Sequence, residues 1–108
     1  MAVIYRGSTP ILRFKPTNGM HVSELGTPVV AISQELVFIS YEGERISIDT
    51  EGNSISVRMD EADTLRLVAG VPTSVQEVWY DTDGNVVRFP VQTVTVSDTI
   101  IGSVLAQA

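Results

Sequence analysis

The sequence predicts an all-β protein, a single antiparallel β-sandwich of about seven strands with one short helical turn. Short apolar and β-branched runs recur along the chain, and Gly, Pro, Asp and Asn cluster between them. Two of these runs, residues 45–49 and 54–59, alternate apolar with polar residues, which is typical of strands with one buried face. Residues 73–96 then predict two strands joined by a tight turn at 81–84.

The first 59 residues supply five of the predicted strands. Leu12 and Phe14 alternate with Ile11 and Arg13 in the first, and Pro16 ends it. Residues 17–28 are rich in turn formers and predict a loop. The predicted strands of the whole chain are residues 9–15, 29–33, 36–41, 44–50, 54–59, 73–80 and 85–97.

Residues 60–68 are the only stretch with a helical pattern. Asp60 is a suitable N-cap, Glu61 and Asp63 favour the positive end of a helix, and Leu65 is placed to pack beneath it. We expect one or two turns, centred on residues 61–67, that bridge the two sheets.

The hairpin of residues 73–96 contains the only Trp, so we expect Trp79 to be buried at the centre of the core. After the turn, apolar residues occupy odd positions from Val87 to Val91 and even positions from Val94 to Val96. One strand face stays buried across such a change only if an extra residue is inserted. This predicts a β-bulge in the region of Pro90 and residues 92–93.

Length and composition indicate one domain, residues 1–108, with an apolar arm at 1–8 and an apolar tail at 98–108. The absence of cysteine excludes disulfides and thiolate metal sites. A net charge of −6 argues against binding to nucleic acid. No apolar stretch approaches the length of a membrane helix, and the N-terminus does not resemble a signal peptide. Basic residues near the N-terminus could attract the acidic body of another copy, but scattered solvated charge is the favoured explanation.

The candidate sites for chemistry all have simpler structural explanations. Asp81, Asp83 and Asn85 have the spacing that opens a calcium loop, but the required Gly and the twelfth-position carboxylate are missing. His21 is the only histidine and has no cysteine to share a metal. The acidic group at 60–63 is explained by the start of a helix. We therefore predict no catalytic, cofactor-binding or metal-binding residues, no cofactor and no enzymatic activity.

Aromatic residues offer one further kind of site. Trp79, Tyr80 and Phe89 could form a sugar-binding platform, although aromatics in a central hairpin usually belong to the core. Tyr5 and Tyr41 are the better candidates for surface contacts. A carbohydrate-binding or host-surface-binding β-sandwich module is therefore the alternative function.

Several short segments carry a family resemblance: YRGSTPILRF at the N-terminus, Gln34 after a Val/Ile strand, DEADTLRL, Val75-Gln76, Asp83-Gly84, and the final Val94, Val96, Asp98 and Ile100. Together they resemble small Ig-like β-sandwich proteins of tailed phages and prophages of Firmicutes. The N-terminal domains of upper-baseplate-type phage proteins are similar. Those relatives usually carry an apolar residue where Glu77 stands, so either facing of the 73–80 strand remains possible.

The resemblance implies a non-catalytic structural or assembly protein, associated with a phage tail or baseplate, in the virion or in the cytoplasm of the bacterial host. Its partners would be other copies of itself, as a homo-oligomer or larger assembly, and other virion proteins. The expected contact residues are Val3, Ile4, Tyr5, Arg6, Tyr41, Ile100, Ile101 and Leu105. Either the arm, the tail or both pair with a neighbouring subunit, the arm through a hinge at Gly7-Ser8, or the arm folds back and completes its own sheet.

Overall fold

A computed structural model describes residues 3–98, and 47% of these lie in strands against 12% in helical turns. The predicted all-β sandwich is therefore confirmed. The strands are β1 (Val3–Tyr5), β2 (Ile11–Phe14), β3 (Thr27–Ser33), β4 (Phe38–Glu42), β5 (Ile46–Asp49), β6 (Ser54–Arg58), β7 (Thr73–Tyr80), β8 (Val86–Arg88) and β9 (Gln92–Ser97). One α-helix, α1 (Glu61–Arg66), and two 3₁₀ turns (Val22–Glu24 and Gly43–Arg45) complete the described elements.

The strands divide into two sheets that pack as a sandwich. The large sheet has the order β1-β9-β7-β3-β4, and β8 also pairs with β7. The small sheet has the order β2-β6-β5. All pairs are antiparallel except β1 with β9, which is parallel. Within residues 3–98 the edge strands of the large sheet are β1, β4 and the short β8, which pairs only with β7, and those of the small sheet are β2 and β5.

The core lies between the two sheets and follows their alternation. Trp79 and Val75 of β7 face inward from the large sheet, and Ile55 and Val57 of β6 face them from the small sheet, all at most 2% exposed. Met59 continues the β6 pattern and is also fully buried. The predicted inward face of residues 54–59 and the predicted burial of Trp79 are therefore confirmed.

The predicted bulge is present between β8 and β9, which both pair with β7. Val78 faces Arg88 and Val75 faces Gln92, so a three-residue step on β7 is matched by a four-residue step on the opposite strands. The extra residue lies at the Pro90 region, where proline has no N–H for a strand ladder. The break divides the predicted 85–97 strand into two.

The arm also forms a strand, which brings the total within residues 3–98 to nine rather than about seven. Residues Val3, Ile4 and Tyr5 pair with Thr95, Val96 and Ser97 of the same chain. Ile4 is 1% exposed. The arm thus completes its own sheet, which was the second of the two alternatives drawn from the sequence.

The helix differs from expectation in which side chain packs beneath it. Leu65 is 47% exposed, whereas Leu67, just beyond the helix, is 1% exposed. Thr64 is fully buried, and its hydroxyl is satisfied there because it donates to Ser8 O and accepts from Gly7 N. The Asp60 side chain makes no capping bond and instead accepts two hydrogen bonds from Arg45. The short α1 therefore packs through residues at its C-terminal end.

Ile48 is a second departure from the alternating pattern. It belongs to the inward-facing series of β5 with Ile46, yet it is 47% exposed while Ile46 is 7% exposed. β5 is an edge strand, so the cover provided by the opposite sheet ends before Ile48 is enclosed. The alternation of apolar and polar residues predicted strand β5, but it could not predict how far the opposite sheet covers that strand.

Candidate functional site

The arm residues predicted to contact a partner divide into exposed and buried sets. Val3 and Tyr5 are 43% and 50% exposed on the edge strand β1, whereas Ile4 is buried. Arg6 is held within the chain: Nε donates to Leu67 O at 2.7 Å, Nη2 donates to Leu65 O, and Nη1 pairs with Asp98 at 2.9 Å. Arg6 therefore joins the arm to the segment that follows α1.

Tyr41 was expected at the surface, and that expectation is wrong. It is 4% exposed and faces the core from β4. Its hydroxyl donates a 2.6 Å hydrogen bond to Asp63 Oδ2, and the Arg45 guanidinium lies 5.0 Å from the ring centre. Burial and the bond to Asp63 raise the pKa of Tyr41 to about 12. Tyr41 therefore anchors α1 to β4. The predicted contacts Ile100, Ile101 and Leu105 lie outside the described residues.

The polar groups considered for chemistry have structural partners. His21 Nδ1 contacts Ser23, and Nε2 lies 2.7 Å from Thr50 O, so the ring joins two loops. Asp81 Oδ1 accepts from the backbone N–H groups of Asp83 and Asn85, which makes 81–85 a self-contained turn. These bonds lower the pKa of Asp81, the contact with Asn85 most strongly. In residues 3–98 there is no group of three or more metal-ligating side chains.

The aromatic residues do not form a platform. Trp79 is fully buried and Phe89 is 7% exposed, both in the core, while Tyr80 is 43% exposed and points to the other side of β7. A sugar-binding surface requires several coplanar or adjacent exposed rings, and the strand alternation separates these three. Trp79 and Phe89 therefore belong to the core, and Tyr80 is exposed beside them.

Among residues 3–98, the most exposed large apolar side chain is Leu36, which lies next to the edge strand β4 of the large sheet, and sequence reasoning missed it. Gln34 and Val37 exchange backbone hydrogen bonds, so residues 35 and 36 form the tip of the β3–β4 hairpin. Leu36 at the tip is 96% exposed and Phe38, the first residue of β4, is 62% exposed. The sequence predicts a strand over residues 36–41, so it places both residues within a strand. A two-residue turn here lacks the Gly or Asn that normally signals one.

Gln34 attaches a third apolar side chain to this hairpin. Gln34 is 6% exposed; its Nε2 donates to Val68 O and to Thr73 Oγ1, and its Oε1 accepts from Val68 N. Val68 itself is 54% exposed. We name Leu36, Phe38 and Val68 the hairpin edge. The hydrogen bonds of Gln34 hold the hairpin and the Val68 segment in a fixed arrangement.

The open backbone of β4 runs beside the hairpin edge. No strand within residues 3–98 pairs with the outer side of β4. Arg66 Nη2 reaches Phe38 O at 3.4 Å, which is a long contact. An unpaired strand edge with exposed apolar side chains is a suitable template for another chain.

The described residues include no helix that is long and apolar enough to cross a membrane. Comparison of the whole chain with models of known protein families and with curated proteins finds no match.

Proposed function

We propose that this chain is a non-catalytic structural or assembly protein of a phage or prophage particle, associated with the tail or baseplate, that acts through protein–protein contacts. The resemblance of the chain to small Ig-like proteins of tailed phages supports the phage context. The observation that carries the assembly role is the hairpin edge beside the unpaired side of β4.

The exposed apolar side chains of the hairpin edge cost free energy in water. Leu36 and Phe38 expose most of their side chains to water, and burying a Leu or Phe side chain contributes about 1.5–3 kcal/mol. The adjacent β4 backbone also offers donors and acceptors that an added strand can pair with. A partner that covers both would gain apolar burial and backbone hydrogen bonds together. Single exposed apolar residues are common, but here they adjoin an open strand edge.

The alternative function, a carbohydrate-binding or host-surface-binding module, loses its main support. Its candidate residues were exposed aromatics, and Trp79, Phe89 and Tyr41 are all buried. Tyr5 and Tyr80 remain exposed, but they lie on β1 and β7 with β9 between them. The assembly role is therefore the function that the geometry favours.

The test combines genetic context with binding. We expect genes for tail-tube, tape-measure or fibre proteins beside the gene for this chain, and we expect one of their products to co-purify with it. Phe38→Lys and Leu36→Lys should abolish that co-purification. Ile48→Lys is the matched control, because Ile48 is a half-exposed apolar residue on an edge of the other sheet.

Binding that survives both hairpin-edge substitutions would show that this edge is not the contact surface. Failure of the chain to bind any product of such genes would refute the assembly role itself. Each variant is first checked by circular dichroism, since an unfolded variant would also lose binding.

A further inference from the structure

The cations of this acidic chain are unevenly distributed between the two sheets. Within residues 3–98, Arg6, Arg45 and Arg66 form ion pairs with acids, and the other four cations form none. Strand alternation places three of those four on the outer face of the small sheet, and these are Arg13, Lys15 and Arg58. This face is therefore locally basic, although the chain carries a net charge of −6.

Strand register brings four hydrogen-bond donors of this face close together. Arg13 of β2 lies opposite Ser56 of β6. The same register, continued by two residues, brings Lys15 beside Ser54. Neighbouring strands are about 4.8 Å apart and alternate residues of one strand about 6–7 Å apart, so the four side chains rise from the corners of a small rectangle.

The four side chains border a cleft. Its volume is about 390 Å³, and Asp49 at the end of β5 and Gly52 in the following turn complete its lining. Ligand sites for small molecules begin at about this size. The cleft is therefore large enough for a phosphate group together with part of the molecule that carries it.

Ser54 is the buried donor of the cleft. It is only 5% exposed, and its hydroxyl forms no hydrogen bond with any residue in the described range 3–98. Since no side-chain oxygen or nitrogen atom in that range is both fully buried and unsatisfied, the Ser54 hydroxyl reaches the surface at the cleft that it lines. A hydroxyl that protein almost encloses, and that has no protein partner, is available to a ligand.

Asp49 is the only acid that lines the cleft, and the turn holds it in place. Its Oδ1 accepts a hydrogen bond from the backbone N–H of Gly52 at 3.0 Å. A Cβ atom at residue 52 would collide with the Asp49 carboxylate, so the glycine allows this carboxylate to lie against the turn. Arg13 and Lys15 outnumber the single acid, which leaves the cleft positively charged.

The arrangement of the donors favours phosphate over other anions. A guanidinium, an ammonium and hydroxyl groups all donate hydrogen bonds to anionic oxygens. A carboxylate presents its two oxygens in one plane, whereas a phosphate ester presents three terminal oxygens that point in different directions. Donors at the corners of a rectangle therefore suit the tetrahedral group better than the planar one.

The net negative charge of the chain does not prevent this binding. Salt screens charges that are more than about 8–10 Å apart at physiological ionic strength, so the cations in contact with the ligand dominate. A nucleic-acid backbone needs a longer row of cations than Arg13 and Lys15 provide. The ligand that matches the cleft is therefore small.

We propose that this cleft binds the phosphate group of a small molecule. Arg13 and Lys15 pair with its charge, and Ser54 and Ser56 donate to its oxygens. The cleft lies on the small sheet and the hairpin edge on the large one, so this binding function does not depend on the proposed assembly role.

The experiment titrates the full-length chain with inorganic phosphate and with glycerol 3-phosphate at constant ionic strength. Isothermal titration calorimetry measures the affinity, and amide chemical shifts locate the site. We expect saturable binding to one site, with the largest shifts at Ser54 and Ser56, and no measurable binding of acetate. Tighter binding of the ester would assign the ligand to phosphate esters and equal binding would assign it to free phosphate, and either result supports the site.

Ser54→Ala should weaken phosphate binding about tenfold, because it removes a hydrogen bond to a charged group without changing the charge of the cleft. Ser40→Ala is the matched control, since Ser40 is exposed on β4 in the other sheet. Arg13→Gln should weaken binding at least about tenfold. Its control is Arg88→Gln, because Arg88 is exposed on β8 and does not line the cleft.

Asp49→Asn should instead strengthen phosphate binding. It removes the negative charge from the cleft, while the amide oxygen can still accept the hydrogen bond from Gly52 N. A gain of affinity cannot result from a loss of folding, so this variant tests the cleft even if another variant unfolds. Weaker binding by Asp49→Asn would contradict the electrostatic argument.

The proposal is overturned if neither phosphate compound binds saturably, or if the two control variants lose as much affinity as Ser54→Ala and Arg13→Gln. Acetate that binds as tightly as phosphate would refute the choice of ligand. Binding of a short DNA or RNA oligonucleotide through the same residues, without binding of glycerol 3-phosphate, would show that the face recognises nucleic acid and not a small molecule.

Discussion

The indole Nε1 of Trp79 donates a 2.7 Å hydrogen bond to Oε2 of Glu77, two residues earlier on the same inward face of β7. Trp79 is fully buried and Glu77 is 3% exposed. Each group supplies the partner that the other would lack in the core. This bond explains how a carboxyl occupies an inward position of the central strand, and it resolves the facing of that strand.

Glu77 should make stability depend on pH. Burial raises the pKa of Glu77, and the bond from Trp79 opposes that shift. Below its ordinary pKa the carboxyl is protonated in both folded and unfolded states. As pH rises from that value through the raised one, the unfolded chain loses its proton first, so the folded state loses relative stability.

Glu77→Gln removes this titration, so its stability relative to wild type should increase as pH rises. Urea denaturation from about pH 4 to pH 7 measures the difference. Glu44→Gln is the control, because Glu44 is exposed in the 3₁₀ turn before β5. Parallel pH profiles for wild type and Glu77→Gln would contradict the assignment.

Trp79→Ala should lower the free energy of unfolding by ~3–5 kcal/mol, because it leaves a large cavity in the core. It also removes the donor to Glu77. Because Trp79 is the only tryptophan, native fluorescence should be blue-shifted and should move to the red on unfolding. Native emission at the wavelength of solvated indole would disprove the burial.

Gln34→Leu should cost about 1–3 kcal/mol, because it leaves the N–H and C=O of Val68 without their partner. Hydrogen exchange at the Val68 amide should accelerate more than elsewhere in the chain. Glu35→Ala, at the exposed hairpin tip, serves as the control and should change stability by less than about 0.5 kcal/mol. Unchanged exchange at Val68 would show that this bond does not hold the segment.

Ile4→Ala should lower the free energy of unfolding by about 2–5 kcal/mol, because Ile4 is buried in its own chain. Val3→Ala, on the exposed side of the same strand, should have a much smaller effect. If Ile4→Ala instead dissociates an oligomer without altering the unfolding of the monomer, the arm pairs with a neighbouring subunit. Chemical denaturation and light scattering together separate these results.

Calcium and chelators should leave the melting temperature unchanged. Asp81 directs one carboxylate oxygen to backbone N–H groups of its own turn, which is the geometry of a turn and not of a metal loop. A ligand that binds only the native state must raise the melting temperature. A rise of several degrees with calcium, measured by scanning calorimetry, would contradict this prediction.

Features that depend on neighbours in sequence were predictable. The alternation at Ile55 and Val57 identified β6 and its buried face. The change of parity after Val91 located a bulge, because side chains on a strand alternate with period two. These rules need only a few consecutive residues.

Features that depend on distant partners were not predictable. Tyr41 was placed at the surface because nothing near it in sequence reveals Asp63 and the helix above it. Leu67 rather than Leu65 joins the core cluster, whose other members come from remote strands. Leu36 and Phe38 became an exposed edge because β4 is the last strand of its sheet within residues 3–98.

The sequence by itself determined that this chain is a β-sandwich, where most strands lie and that Trp79 belongs to the core. Only the tertiary structure decided that the arm pairs with β9, that Glu77 faces inward and that Arg13 and Lys15 share a cleft with Ser54. The physical reason is that strand patterns arise from local alternation, whereas edges, seams and clefts arise from pairing between remote segments. Arg6 and Asp98, which are joined by an ion pair across 92 residues, illustrate how remote those segments are.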